Sequence, residues 1–170
     1  MVSDLVWEGR FLTVRKSGSW EYAERQGSLG AAVIVAVDDG HLILVEQYRV
    51  PVGRRCLELP AGLVGDTEAG ESIALAAARE LEEETGYRAD RIVSEGSFYS
   101  SPGLTSESFT LVRAEGLTRV GDGGGEDDEE IMVHRVALPH VPGFIDAKRA
   151  EGIGIDAKLL LLLGARLLPI

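Results

Sequence analysis

The sequence predicts one domain of the α/β or α+β class, a mixed β-sheet with helices on its faces. Three observations carry that prediction. The first third of the chain holds apolar, strand-length runs separated by turn residues. A segment rich in Ala, Leu, Glu and Arg follows in the middle. Beyond it come further strand-like runs and a last stretch with leucines at helical spacing. Strands followed by a helix, more strands and another helix fit a sheet covered by helices. With 170 residues, 45% of them hydrophobic, the chain has the size and apolar content to close a core.

The elements follow in order. Phe11–Arg15 and Trp20–Arg25 flank Ser17-Gly18 and read as a hairpin. Ala31–Val37 and Leu42–Val45 flank Asp38-Asp39-Gly40, a stronger hairpin signal. The unbroken apolar character of Ala31–Val37 predicts a strand buried on both faces. Glu71–Thr85 is composed of good helix formers, and Gly86 is placed to end the helix. Ile92–Tyr99 and Glu107–Arg113 read as strands around the turn Ser101-Pro102-Gly103, and Ile131–Val136 as another. Ala157–Leu168 reads as a second helix, with Asp156 as N-cap and Leu159, Leu160, Leu163 and Leu167 on one face.

Composition excludes several functions. Lys and Arg number 17 against 28 Asp and Glu, a formal charge of −11. Nucleic acid and anionic lipid both need a positive field, so neither is an expected partner. A phosphate-bearing ligand then requires a bound metal or a few placed arginines to invert the sign locally. Cys56 is the only cysteine, which rules out an internal disulfide and suits a reducing cytoplasm. Met1–Arg10 lacks the basic and apolar regions of a signal peptide. The run Leu159–Leu163 is far short of the ~20 residues of a membrane span. The expected location is the cytoplasm.

The middle helix carries the chemistry. At about 100° per residue, Glu80, Glu83 and Glu84 fall on one face, with Glu82 nearly opposite. Like charges at these spacings repel, and anions near a helix C-terminus also oppose the macrodipole. Such a stripe is either a solvated acidic face, supported by Arg79 four residues before Glu83, or a cation site. Hard oxygen ligands suit Mg²⁺, Mn²⁺ or Ca²⁺ rather than zinc.

The surrounding residues are Gly65, five residues, Glu71, seven residues, then Arg79-Glu80-Leu81-Glu82-Glu83-Glu84-Thr85-Gly86-Tyr87. This resembles the Nudix hydrolase signature at every polar and glycine position, with Tyr87 in place of the last aliphatic residue. The fixed spacing makes the match specific. Pro60-Ala61-Gly62 resembles the lead-in to the box in the ADP-ribose-hydrolysing branch of that family, but Gly62 stands three residues too early for the spacing that Gly65 satisfies. A three-residue loop insertion accounts for this, and leaves Gly62 and Gly65 as rivals for the structural box glycine. The resemblance implies that the Ala61 carbonyl, with Glu80, Glu83 and Glu84, binds metal, and that Glu83 also serves in catalysis.

Other segments resemble the same branch. Glu46-Gln47-Tyr48-Arg49-Val50-Pro51 looks like its strand with a substrate-contacting arginine, Arg49, followed by Leu57-Glu58-Leu59-Pro60. Pro102, in Ser-Pro-Gly103, lies 16 residues past Gly86, similar to the mark of ADP-ribose pyrophosphatases. Trp20–Arg25 looks like the strand giving an adenine-stacking tryptophan and a phosphate- or ribose-binding Arg25. Phe11 stands where a second stacking aromatic comes from a partner subunit. The resemblance therefore implies substrate-binding roles for Phe11, Trp20, Arg25, Arg49, Glu58, Pro102 and Gly103. Sheet packing and surface pairing are the plain alternatives for these residues. A diphosphate does require donors beyond a cation, and arginine supplies a planar fork.

The acidic loop Gly121–Glu130 lacks the spacing of an EF-hand and is either solvated or functional. In the resembling family a loop glutamate here closes over substrate. Glu129 is the choice, with Glu126 and Glu130 as its rivals. His134, in a strand, reads as structural. The resemblance implies a Nudix α/β/α sandwich with a mixed sheet plus an N-terminal antiparallel sheet. Residues 1–28 would form the dimerisation and substrate sheet, and residues 29–170 the hydrolase domain. The expected activity is Mg²⁺-dependent (or Mn²⁺-dependent) hydrolysis of ADP-ribose to AMP and ribose 5-phosphate by a homodimer. The alternatives are another nucleoside diphosphate sugar such as GDP-mannose, or a non-catalytic ADP-ribose-binding module.

Overall fold

The structure, a computed structural model, describes residues 3–27, 30–65, 70–125 and 129–164. Strands β1 (Asp4–Glu8), β2 (Leu12–Ser17) and β3 (Trp20–Arg25) form a separate three-stranded antiparallel sheet. The main sheet contains β4 (Ala31–Asp38), β5 (His41–Arg49), β6 (Arg54–Glu58), β7 (Ala61–Leu63), β8 (Tyr87–Tyr99), β9 (Ser108–Arg119), β10 (Met132–Ala137) and β11 (Gly154–Ile155). Its path is β11-β6-β5-β4-β9-β8, with β10 on β5 and β7 on β4. The pairs β4–β9 and β6–β11 are parallel and the rest antiparallel, so the sheet is mixed.

β4 and β5 pair only beside their turn, at Val37–Leu42 and Asp38–His41. Asp39 and Gly40 both have positive φ there, as the tight Asp-Gly hairpin requires. Beyond these pairs the strands part. β4 turns to β7 and β9, and β5 turns to β6 and β10. The separation of these two half-sheets opens the cleft described below.

β4 is buried on both faces, as its apolar run predicts. Ala32, Ile34 and Ala36 join Ala76, Ala77 and Leu81 of helix α1 (Ile73–Thr85). Val33 joins the opposite cluster with Val141 and Ile145 of helix α2 (Val141–Ala150) and with Leu159 and Leu163. Helices thus cover both faces, giving an α/β/α sandwich. Among the described residues no helix is long and apolar enough to cross a membrane.

Several elements differ from expectation. α1 begins at Ile73 rather than Glu71, because Ser72 takes the N-cap and its hydroxyl accepts from Leu75 N–H. Glu71 is left outside the helix, free to turn back toward Arg79. α2 has no counterpart in the sequence reading, since Pro142 and Gly143 in its first turn interrupt the apolar pattern. β1 likewise has no counterpart in the sequence pattern, as every residue in it is exposed and no alternation marks it. The last segment is a 3-10 helix over Ala157–Leu163, capped by Asp156 as expected. Leu160 is 51% exposed there, while Leu159 and Leu163 stay buried. Leu167 lies outside the described residues.

Candidate active site

The apolar face of α1 fixes the helix's rotation and thereby aims its acidic side. With Ala76, Ala77 and Leu81 pressed on the sheet, Glu80 and Glu84 face β7 and the cleft. Glu84 is 4% exposed, and its Oε2 accepts the Ala61 N–H at 3.0 Å. Burial raises its carboxyl pKa to about 8. The neighbouring Glu80 and Glu129 charges add to that rise, while the Ala61 N–H and Arg49 oppose it. Gly62 meets Glu80 head-on: a Cβ at this position would lie 1.9 Å from the Glu80 carboxyl carbon. Only glycine leaves room for that carboxylate. Gly65 has a different task, donating its N–H to Glu71 Oε2 (3.4 Å) at a φ of 80°.

Arg79 organises the other carboxylates. Its Nε lies 3.2 Å from Glu71 Oε1, and its Nη1 lies 2.9 Å from both Glu80 Oε1 and Glu83 Oε2. Burial works against its charge, but these carboxylates outweigh it and the guanidinium stays cationic. Glu83 is not among the residues lining the cleft.

The cleft, about 790 Å³ in volume, lies where β4 and β5 diverge. Ala61, Glu80, Glu84 and Glu129 line it, and so do Arg25, Arg49 and Glu58. Arg49 grips Glu58 with two bonds, Nε to Oε1 at 2.7 Å and Nη2 to Oε2 at 2.9 Å. Arg25 reaches in from the N-terminal sheet and donates to Glu107 Oε1 from Nε (3.3 Å) and Nη2 (3.2 Å). That sheet is docked by main chain: Ala23 N–H donates to the Leu104 carbonyl (3.0 Å) and Ser106 N–H to the Ala23 carbonyl (3.1 Å).

Other expected site residues stay outside the cleft of a single chain. Trp20 and Phe11 are each 62% exposed on the N-terminal sheet, where Leu5, Val6 and Trp7 also face solvent. Pro102 and Gly103 form an exposed turn two residues before the Thr105–Ala23 bridge. Glu130 is exposed, and Glu126 lies outside the described residues. His134 bonds Glu46 at 3.0 Å, away from the cleft, in keeping with a structural role.

Several lining residues escaped sequence reasoning. Glu107 holds Arg25 and accepts from Ser100 Oγ at 3.2 Å. Phe109 stacks on Phe98 at 5.7 Å between ring centroids, and Lys158 Nζ lies 5.8 Å above the Phe109 ring. Lys158 pairs with Asp156 at 2.7 Å. None belongs to a local motif. They meet only because β9 and the C-terminal turn converge on the cleft.

The donor set fits a divalent cation. Glu80, Glu84 and Glu129 bring hard oxygens to one side of the cleft, and their repulsion is visible in the raised Glu84. Among the described residues no three such groups are already gathered into a cage, because Glu80 and Glu83 both turn to Arg79.

Fold and cleft together define an α/β/α sandwich protein whose site brings carboxylates and arginines into one cleft. Within that class the chain belongs to the NUDIX domain family, whose model matches residues 28–152. Nudix hydrolases generally use divalent metals. The chain is 36% identical to an ADP-ribose pyrophosphatase of Bacillus subtilis over 131 residues, 77% of this chain and 68% of that protein. It is 34% identical to a GDP-mannose pyrophosphatase of Cronobacter sakazakii over 149 residues, 81% of this chain and 72% of that one. A crystal structure of an ADP compounds hydrolase superposes with a TM-score of 0.68 at 27% identity, covering 86% of this chain and 81% of that one. The chain spans 56%, 68% and 64% of the lengths of three curated relatives it matches.

Proposed function

We propose that the protein is a Mg²⁺-dependent pyrophosphohydrolase that splits ADP-ribose into AMP and ribose 5-phosphate. One observation carries this reading: the buried Glu84 stands with Glu80 and Glu129 on the wall of a cleft that Arg25 and Arg49 also enter. A diphosphate seated there would meet cationic donors from the chain, and the carboxylates would hold a divalent ion that offsets its charge. The Bacillus relative, an ADP-ribose pyrophosphatase, supports the same choice.

Glu80, Glu83, Glu84 and the Ala61 carbonyl would hold the cation. When bound, Mg²⁺ offsets the diphosphate charge and lowers the pKa of the attacking water. Glu129 takes the proton from that water as its oxygen bonds to phosphorus and the bridging P–O bond breaks. Arg25 and Arg49 hold phosphate oxygens in forked geometry, each exchanging part of its present carboxylate contact for substrate. Glu58 keeps Arg49 aimed while this happens. Trp20 and Phe11 stack the adenine, with the turn at Pro102 and Gly103 beside them.

The working form in this reading is a homodimer joined through residues 1–28, with residues 29–170 as the hydrolase domain. The exposed Leu5, Val6, Trp7, Phe11 and Trp20 support it, since so much apolar surface on one small sheet marks an interface. A free Cys56 supports the cytoplasm as its compartment. The test is a panel of ADP-ribose and GDP-mannose with Mg²⁺, Mn²⁺ or chelator, combined with light scattering. Preferred turnover of ADP-ribose, abolished by chelator, is expected from a dimer. Trp20→Ala should raise KM by the equivalent of ~1–3 kcal/mol, the usual value of a base stack. Preference for GDP-mannose, which the Cronobacter relative makes the second reading, would overturn the substrate while leaving the chemistry.

A further inference from the structure

The described residues on either side of Glu129 are both anchored. Before it, Gly124 N–H donates to the Glu84 carbonyl (2.9 Å) and Gly125 N–H to the Glu83 carbonyl (3.1 Å). These are carbonyls at the end of α1, which a helix leaves without internal partners. Ile131 N–H returns to the Gly124 carbonyl at 3.2 Å. After it, Arg55 Nη2 donates to the Glu130 carbonyl at 3.1 Å.

That guanidinium is itself fixed. Its Nε donates to Glu46 Oε1 (2.8 Å) and its Nη2 also reaches the Glu46 carbonyl (2.7 Å). Glu46 is gripped in turn by Lys148 Nζ (3.1 Å) and His134 Nε2 (3.0 Å). Charge balance does not require Arg55 to reach the loop, because Glu46 has those other partners. The contact is with main chain, so it sets the loop's position whatever side chain stands at 130. Between the two anchors the Glu129 carboxylate lies against Gly125, where a Cβ would come within 2.6 Å of Oε2.

We propose that Arg55 is a positioning residue, clamping the Glu130 carbonyl to the Glu46 cluster so that Glu129 is held at a fixed place beside Glu84. The proposal rests on the reading of Glu129 as the group that takes the proton from water. It assigns a buried charge cluster, on the far side of β5 from α1, a part in aiming that group. Misplacement of a reacting group by an ångström is enough to cost a large factor in rate.

The test uses the full chain with Mg²⁺ and ADP-ribose. Wild type is compared with Arg55→Lys, Arg55→Gln, Glu129→Gln, the double variant Arg55→Lys with Glu129→Gln, and Ile145→Val. The last loosens the core under α2 and controls for general destabilisation. Arg55→Lys keeps a cation beside Glu46 but has no second arm for the loop. It should speed amide hydrogen exchange at residues 129–131 about tenfold. It should also lower kcat roughly 10- to 100-fold at unchanged KM. Added to Glu129→Gln, it should lower kcat no further. Ile145→Val should lower Tm with neither change. Unchanged exchange at 129–131 in both Arg55 variants overturns the proposal, and so does an equal kcat loss with and without Glu129. Wild-type turnover by Glu129→Gln would instead sink the proton-acceptor reading, and the exchange measurement by itself would then decide whether Arg55 clamps the loop.

Discussion

Glu46 on β5 and Glu84 on α1 are buried to nearly the same degree, 3% and 4% exposed, yet the chain treats them in opposite ways. Burial pushes both carboxyls toward the neutral form. At Glu46 that push is outweighed by hydrogen bonds from Lys148, Arg55 and His134, and the carboxyl is held below its ordinary range. At Glu84 the one backbone N–H and the Arg49 charge do not compensate, and Glu80 and Glu129 make matters worse, so the carboxyl stands at about 8. One site spends its cations on structure. The other leaves its carboxyl groups under-compensated by the chain, which is what a site awaiting a cation needs. Deeper packing around Glu84 and the shortage of cationic partners together separate a finished ion cluster from an unfinished one.

The largest expected effect follows from removing the unfinished charge. Glu84→Gln should lower kcat by roughly a thousandfold, about 4 kcal/mol of barrier, while the metal-free protein unfolds at a higher temperature than wild type. Steady-state kinetics and thermal melts in chelator check the two halves. A variant with lower stability and normal turnover would break the comparison. Glu46→Gln should do the reverse to the fold, costing about 3–5 kcal/mol in urea unfolding, because Arg55 and Lys148 lose the charge that pairs them.

pH separates the two sites further. Glu84 has a folded pKa above its unfolded value, so the metal-free native state binds the proton more tightly. Its contribution to stability is present below the ordinary carboxyl value of 4.5 and is lost as pH rises toward about 8. Glu46 has the opposite sign. Its contribution is present above 4.5 and is lost as pH falls through its lowered pKa. Between pH 5 and about 8, Tm in chelator should therefore decline through Glu84, and Mg²⁺ should flatten that decline. A slope that survives saturating Mg²⁺ would remove Glu84 from the cation site. The smallest effect comes from making Glu46 resemble Glu84. Lys148→Met should cost about 1–2 kcal/mol at neutral pH and less in acid, seen by urea unfolding at two pH values.

The contrast also explains what the sequence reveals. Glu80, Glu83 and Glu84 were legible because a helix converts fixed spacing into a shared face, and the box places Glu71 and Arg79 at set distances from them. The double burial of β4 was legible in its unbroken apolar run. Glu46, Arg55, His134 and Lys148 were not, for they come from four elements and no local spacing links them. Glu107, Phe109 and Lys158 reach the cleft by the same kind of long-range convergence. α2 hid behind Pro142 and Gly143, which read as a loop until the helix N-terminus supplies their reason. Gly62 and Gly65 were rivals in the alignment of the box. In the fold they have separate tasks, one yielding room to Glu80 and the other bonding Glu71.

The parting of β4 and β5 has a mechanical consequence. The two strands behave as the arms of a clothes peg sprung at Asp39-Gly40. With eight residues in β4 and about 3.3 Å of rise per residue, an arm is roughly 26 Å long. A swing of about 5° at the turn would then move its tip by about 2 Å. What stops the jaws is the short crossing from β6 to β7. There the Pro60 carbonyl accepts Ile34 N–H at 2.9 Å, and Ala61 pairs with Val33. The gap between the jaws is thus set by a short strut that pairs with β4 at one end and continues into β6, laddered to β5, at the other. The Ala61 carbonyl and the Gly62 seat for Glu80 are parts of that strut, so the member that gauges the opening also carries the groups that work inside it.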